Sequence, residues 1–143
     1  MNKTPFLAAF AAAAAISVIA MPTMAQEMAY PDKCKMEGGM DMSKMDMSKM
    51  DMSGMGEMTD YQKASMEGMK SMHMNMMQGM MKKDADVSFI CGMIAHHMGA
   101  ISMSEVELKY GDNKEAKEMA QKIIDAQKKE ITEMTKWLDK EAK

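Results

Sequence analysis

Residues 86–104 read D-V-S-F-I-C-G-M-I-A-H-H-M-G-A-I-S-M-S, and this stretch decides the fold because it carries the clearest helical pattern in the chain. Its apolar side chains recur at steps of three and four, the spacing of one helix face. The members of this stripe are Phe89, Ile90, Met93, Ile94, His97 and Ile101. Asp86 is the predicted N-cap, since its carboxylate can accept from free N–H groups of the first turn. His96 lies at the edge of the stripe. We therefore predict a core helix that carries imidazoles among thioethers.

Two further helical patterns flank this stretch. The first is predicted from Thr59 or Asp60 to about Lys82, and the second from about Lys114 to Lys140. The apolar face of the first is almost wholly methionine: Met66, Met69, Met72, Met76, Met77, Met80 and Met81, with His73 among them. The stripe of the second is Ala116, Ala120, Ile124, Gln127, Ile131, Met134 and Leu138, widened by Ile123 and Trp137. The central helix is expected to end at Tyr110, with Gly111 as the residue after its C-cap.

Short turns join the three helices and fix their directions. Residues 83–85 and 111–113 leave room only for antiparallel neighbours. Counting from the second turn, His97 is expected at the level of Gln127, and Met93 at that of Glu130 and Ile131. The first helix is expected in the groove between the other two. The sequence thus predicts an all-α bundle of three long helices, or of four or more where dimerisation completes it.

The chain before residue 59 has a different character. Residues 1–25 are predicted to be a signal peptide, with Lys3, an apolar run at 6–20 and a small-residue cleavage site. That run is shorter than the ~20 residues of a membrane span, so cleavage is favoured over anchoring. We expect a periplasmic protein with no membrane association after cleavage.

Residues 26–58 are predicted to be a disordered, methionine-rich arm preceding a helical domain at 59–143. The sequence D-M-S-K-M occurs at 41–45 and 46–50, and D-M-S-G-M follows at 51–55. A period of five fits neither a helix nor a strand, so the repeat cannot bury one face. It can present closely spaced sulfurs on a flexible backbone.

Charge and motifs exclude several functions. The 18 basic residues are all lysine, and the formal net charge is −3. Without arginine forks or a basic patch, nucleic-acid binding is disfavoured. The sequence has no H-E-x-x-H, G-x-S-x-G, P-loop or C-x-x-C motif, and no glutamate three residues before any histidine as a di-iron bundle requires. We therefore expect no enzyme activity and no catalytic residues.

Methionine is the outlier in composition. There are 26 methionines, 17 of them between Met36 and Met81. Thioethers are soft ligands that select Cu(I) and Ag(I), and imidazole also binds copper. The first helix offers Met69, Met72, His73, Met76 and Met77 on adjacent turns, and the central helix offers Met93, His96, His97 and Met103. The predicted site is a copper, Cu(I), site built from these residues.

Other interpretations of the same residues stay open. A methionine stripe at helical spacing is usually core, and exposed methionine can scavenge oxidants through its sulfoxide. A methionine-rich helical module can also bind partner helices without metal. His97 can be a core histidine hydrogen-bonded to Gln127 or Glu130. Cys34 and Cys91 can form a disulfide between arm and helix, or Cys91 can be a buried small residue or a soft ligand.

The central stretch, followed by A-K-E-M-A-Q-K-I-I-D-A-Q-K-K-E-I-T-E-M-T-K-W-L at 116–138, resembles the CopM-like family of exported copper-binding proteins, the domain of unknown function 305. The resemblance covers about 65–138 and is centred on M-I-x-H-H-x-x-A-I-x-M. It implies a ferritin-like helical bundle and a role in copper resistance. On its pattern Met93, His96, His97 and Met103 take metal-site positions, and Met69, His73 and Met76–Met77 match a Met/His-rich first helix. Cys91 and the lack of a fourth helix depart from the pattern.

Together these features predict an exported protein that sequesters or carries Cu(I), and also Ag(I), in the periplasm. Its expected partners are copper ions, a copper-transport protein and a second copy in a homodimer. Whether copper is stored or transferred is not determined by these residues.

Overall fold

The structure, a computed structural model, describes residues 28–36 and 57–143. These residues form a 3-10 helix at Asp32–Cys34 and three α-helices: α1 at Asp60–Met80, α2 at Ala85–Tyr110 and α3 at Lys114–Glu141. No strand occurs within the two described ranges. The predicted all-α bundle of three long helices is confirmed. The predicted signal peptide at 1–25 and the repeats at 41–55 lie outside the described residues.

Side-chain caps fix where the first two helices begin. Thr59 and Gln62 form a capping box at the start of α1, each side chain accepting from the other residue's backbone N–H. At α2 the prediction was wrong, because the N-cap is Asp84 and not Asp86. The Asp84 carboxylate accepts from the backbone N–H of Val87 at 2.9 Å. Asp86 lies inside the first turn, where its negative charge interacts favourably with the positive end of the helix dipole.

The second turn is closed by Asn113 and Gly111. The Asn113 side chain caps α3 by accepting from the Ala116 N–H at 2.9 Å. Gly111 ends α2 with φ −67° and ψ 155°, an extended conformation rather than the left-handed one that favours glycine. A Cβ at Gly111 would stand 2.7 Å from the Glu107 carbonyl oxygen. Close approach of the backbone is therefore the reason for glycine at this turn.

α2 is the central helix, and α1 and α3 lie on its two sides with little contact between them. The expectation that the first helix occupies a groove between the other two was wrong. Ala95 and Gly99 are buried toward α1, whereas Ile94 and Ile101 are buried toward α3. The single predicted stripe is therefore replaced by two buried faces. Phe89 belongs to neither and is 64% exposed, because α1 and α3 leave its flank of α2 uncovered.

Glycines set the distance and register between α1 and α2. A Cβ on Gly79 would come within 2.9 Å of the Gly92 backbone nitrogen and 3.0 Å of the Cys91 carbonyl carbon. A Cβ on Gly68 would meet the Ser102 side chain. The two helices are thus in close antiparallel contact, and each residue towards the start of α1 is matched by one towards the end of α2.

The contact between α2 and α3 supplies most of the hydrophobic core. The buried residues of α3 are Ala120, Ile124, Ile131 and Leu138, which are members of its predicted stripe. Ile94 of α2 and Leu138 are fully buried. Ile123, predicted to widen the stripe, is 42% exposed instead. It lies on the same uncovered side of the bundle as Phe89.

A disulfide ties residues 28–36 to α2. Cys34 and Cys91 are bonded, with Cα atoms 5.4 Å apart, and both are fully buried. The Tyr30 hydroxyl donates to the Cys91 carbonyl at 3.1 Å, and burial raises the pKa of Tyr30 to about 12. Of the three roles open to Cys91, the structure shows the disulfide. Within the arm predicted as disordered at 26–58, residues 28–36 are therefore a docked segment, because the disulfide and Tyr30 hold it.

Lys33 joins this segment to the end of α3. Its ammonium donates to the carbonyls of Leu138, Asp139 and Ala142 at 3.1, 3.3 and 2.8 Å. These oxygens lie at the negative end of the helix dipole, and of the three only the Leu138 oxygen also accepts from a backbone N–H, that of Ala142 at 3.0 Å. The docked segment thus contacts both α2 and α3.

Within the described residues, α2 is long and apolar enough to span a membrane by length and composition. A core helix passes the same test, and α2 is covered on two sides by α1 and α3. It also carries His97 in contact with Glu130 of α3. These contacts are those of the central helix of a bundle.

Candidate metal-binding surfaces

The predicted ligands do not form one cluster. The structure distributes them over an exposed surface, the hydrophobic core, the contact between α2 and α3, and a groove on the other side of the bundle. We call the exposed surface the Met/His face, defined by Met69, His73 and Met77 of α1 with Met93, His96 and Met103 of α2. Each of the other three locations holds one predicted ligand: Met76, His97 and Met72, respectively.

The register of α1 and α2 brings the two rows of the Met/His face to matching levels. Gly79 lies against Cys91–Gly92, and Gly68 lies against Ser102. Counting from these contacts, His73 falls level with His97, one residue from His96. By the same count Met77 falls level with Met93, and Met69 falls close to the level of Met103. Each histidine of this face therefore has an imidazole or thioether opposite it.

The two rows also lie on the same side of the bundle. Counted at about 100° per residue, they stand between about a fifth of a turn and nearly half a turn from the line of contact, and on each helix in the direction in which the helix winds. In an antiparallel pair these two flanks face one side. None of the six residues lines the groove on the opposite flank. The Met/His face is therefore one continuous surface.

Side chains of the Met/His face are accessible to solvent. Met69 and Met103 are each 53% exposed, and His73 and His96 are exposed. Met77 and Met93 are half-buried. Accessible sulfurs and imidazole nitrogens can bind a metal without opening the core. Neither histidine has a hydrogen-bond partner among the described residues that would compete with a metal.

His97 is turned away from this face. It is buried at 7% exposure, and its Nε2 lies 2.6 Å from Glu130 Oε2. A carboxylate cannot donate, so Nε2–H is the donor in this contact, and the second ring nitrogen is Nδ1. That nitrogen is buried without a hydrogen-bond partner, as is Gln127 Oε1. Of the two partners open to His97 in the sequence, the structure shows Glu130.

This contact limits what His97 can do as a ligand. A metal would have to reach the buried Nδ1 or displace Glu130 from Nε2. Its neighbour His96 points to solvent, with ring centroids 5.9 Å apart and planes at 65°. The adjacent histidines therefore face different neighbours, and His97 connects α2 to α3.

The last two predicted ligands are packed against neighbouring residues. Met76 is half-buried against the hydrophobic core. Met72 lies over Gly99, where an added Cβ would overlap its sulfur and stand 2.7 Å from its Cγ. Met72 lines a groove of about 670 Å³ with two methionines absent from the predicted site, Met28 and Met98. The small residue at position 99 is the sequence signal that marks this close contact.

The donor types restrict the chemistry of any metal site in this part of the chain. Among residues 28–36 and 57–143, no three His, Cys, Asp or Glu side chains form a cluster that could hold a metal ion. Both cysteines are consumed by the disulfide. A site of three His, Cys or Met side chains in these residues must therefore include thioethers, and thioethers favour Cu(I) and Ag(I) over hard cations.

Comparison with protein-family models places the chain in a family. The family model described as "Domain of unknown function (DUF305)" matches residues 11–138, nearly the whole chain. A search of curated proteins found no match.

Proposed function

This chain belongs to the DUF305 family, and we propose that it is an exported copper-binding protein of the CopM-like kind. It sequesters or carries Cu(I), and equally Ag(I), in the periplasm through methionine and histidine side chains. It thereby contributes to copper resistance, either by holding the ion or by passing it to a copper-transport partner.

The observation that carries this proposal is the Met/His face. Two exposed histidines at matching levels are flanked by exposed or half-buried methionines on both helices. Thioether and imidazole together are a donor set suited to Cu(I). A face of the same size used only for packing would gain more from branched aliphatic side chains, because methionine specifies a contact poorly.

His97 supports the site through the fold. Its hydrogen bond to Glu130 fixes the rotation of α2 against α3. The same rotation of α2 places the preceding residue, His96, away from α3 and in contact with solvent. His97 is therefore proposed as a positioning residue for the Met/His face.

A second candidate function rests on the exposed apolar side chains. Met69, Met80 and Phe89 are more than half exposed on the same side of the bundle. Flexible methionine-rich surfaces suit the binding of partner helices, including those of a second copy of this chain. Such a module would need no metal. A protein that scavenges oxidants through its methionines would need no histidine.

The deciding experiment is an anaerobic titration of the purified protein with Cu(I) against a chromophoric Cu(I) chelator. We expect the protein to withdraw copper from micromolar chelator. His73→Ala with His96→Ala should weaken this competition at least about tenfold, since even outer-shell changes cost 10–100-fold in metal affinity.

Met119→Leu is the matched control. It removes an exposed methionine of α3 that has no histidine at its level. It should leave the titration unchanged. No competition by the unmodified protein would refute copper binding. Full competition by the double histidine variant would show that thioethers alone form the tight site.

A further inference from the structure

We propose that Met28, Met72 and Met98 form a second metal site, an all-thioether site for the soft ions Cu(I) and Ag(I). It lies in the groove of about 670 Å³ on the flank of α1 and α2 opposite to the Met/His face. This inference rests on the proposed copper function and names a site separate from that face. We call these three residues the thioether groove.

Three different elements contribute the methionines that line the groove. Met72 comes from α1, Met98 from α2, and Met28 from the docked segment, and all three line the same groove. Each is half-buried, and Met28 and Met98 pack against the hydrophobic core on one side while they line the groove on the other. A site assembled from three elements exists only in the folded protein, which distinguishes it from methionines that are merely close in sequence.

The position of Met28 depends on the disulfide. Met28 stands two residues before Tyr30, whose hydroxyl donates to the Cys91 carbonyl at 3.1 Å. The Cys34–Cys91 bond holds the same segment against α2. An oxidising compartment therefore completes the groove, because reduction would release the segment that supplies one sulfur.

Met72 and Met98 are placed by Gly99. The absence of a side chain at position 99 admits Met72 onto the surface of α2 beside Met98. A Cβ there would overlap the Met72 sulfur. Gly99→Ala should consequently move one ligand while keeping all three methionines in the chain.

The charges around the groove favour a cation. Glu67 of α1 and Glu105 of α2 line it, with Lys128 of α3 as the facing positive charge. Two carboxylates against one ammonium leave a negative balance at the entrance. The hydroxyls of Ser71 and Ser102 are the remaining polar donors that line it.

The groove and the Met/His face differ in the donors that they offer. The groove offers the thioether sulfurs of three methionines, whereas the Met/His face also offers the imidazole nitrogens of His73 and His96. Replacing both histidines by alanine should therefore leave the groove's metal in place while it weakens binding at the Met/His face.

The test uses Ag(I), which is diamagnetic, and purified protein labelled with ¹³C at the methionine methyl groups. Single Met→Leu variants assign the signals. In the variant with both His73→Ala and His96→Ala, we expect the methyl signals of Met28, Met72 and Met98 to shift together during the titration. Methionines of the repeats at 41–55 give separate signals, so their silver binding is not confused with that of the groove.

Met28→Leu and Gly99→Ala should each move the midpoint of the remaining groove signals at least about tenfold, since outer-shell changes already cost 10–100-fold. Met119→Leu should leave it in place. Independent shifts of the three methyls, or an unchanged midpoint in Met28→Leu, would overturn the groove, while Cu(I) competition by the unmodified protein would preserve the copper function. No binding of silver or Cu(I) by the unmodified protein would overturn both.

Discussion

The close contact of α1 with α2 can be tested by adding one methyl group at Gly79. In Gly79→Ala the new Cβ would stand 2.9 Å from the Gly92 nitrogen, 3.0 Å from the Cys91 carbonyl carbon and 3.0 Å from the Tyr30 hydroxyl. Two of these atoms are backbone and cannot rotate away. The helices must therefore separate by several tenths of an ångström, or the hydrogen bond from the Tyr30 hydroxyl to the Cys91 carbonyl must lengthen or break.

A matched control lies directly across the interface. Gly92, on α2, has open space where a Cβ would be added. Alanine replaces glycine inside a helix with a gain of up to about 1 kcal/mol, and this gain applies to both variants. Overpacking costs about 1–3 kcal/mol and applies only at Gly79. We expect Gly92→Ala to be about 1 kcal/mol more stable than the unmodified protein, and Gly79→Ala to be about 1–3 kcal/mol less stable than Gly92→Ala.

Urea unfolding at pH 7 with the disulfide intact measures this difference. With an m value of about 1–2 kcal/mol per molar for a small domain, the midpoints of the two variants should differ by roughly 0.5–3 M. Equal stabilisation by both alanines would refute the reasoning, since it would mean that α1 and α2 are not in contact at Gly79. The same substitution should also weaken the docking of Tyr30.

Three further outcomes follow from the structure. His97→Ala should lower the free energy of unfolding by about 1–3 kcal/mol and should also lower the affinity for Cu(I), because His97 is buried. His96→Ala should lower the affinity for Cu(I) alone, because His96 is exposed. Equal losses of stability in the two variants, measured by circular dichroism, would contradict this division. Replacing Cys34 and Cys91 together by serine should cost about 2–4 kcal/mol in urea unfolding, and an unchanged midpoint would show that the segment does not restrain the bundle. The pKa of Tyr30 is raised to about 12 from 10.0, so its contribution to the free energy of unfolding is complete below pH 10 and is lost as the pH rises towards 12. Between pH 10 and 12, Tyr30→Phe should therefore lose less stability than the unmodified protein does.

Local features of the fold could be read from the sequence because they depend on neighbours in the chain. Hydrophobic periodicity located all three helices, and short polar turns made them antiparallel. Counting from the second turn predicts His97 at the level of Gln127, and its observed partner Glu130 lies within one turn of that level on α3. The misplaced cap at Asp86 shows the limit, since two aspartates two residues apart offer the same chemistry.

The predicted ligands lie in separate places because periodicity assigns one buried face to each helix, whereas α2 has two buried faces. Small residues gave no apolar signal, yet Gly79 and Gly99 determine how closely α1 approaches and where Met72 lies. Met28 could not be included, because its position depends on a bond between residues 57 apart in the chain.

The sequence by itself determined the helices, their direction and a supply of soft ligands, because spacing along one chain is enough to define these. Only the tertiary structure decided which ligands share a surface. It separated Met72 from His73 and His97 from His96, because adjacent residues on a helix point about 100° apart and meet different neighbours. The disulfide and the position of α1 were likewise decided by packing, which brings together residues whose distance in the sequence carries no signal.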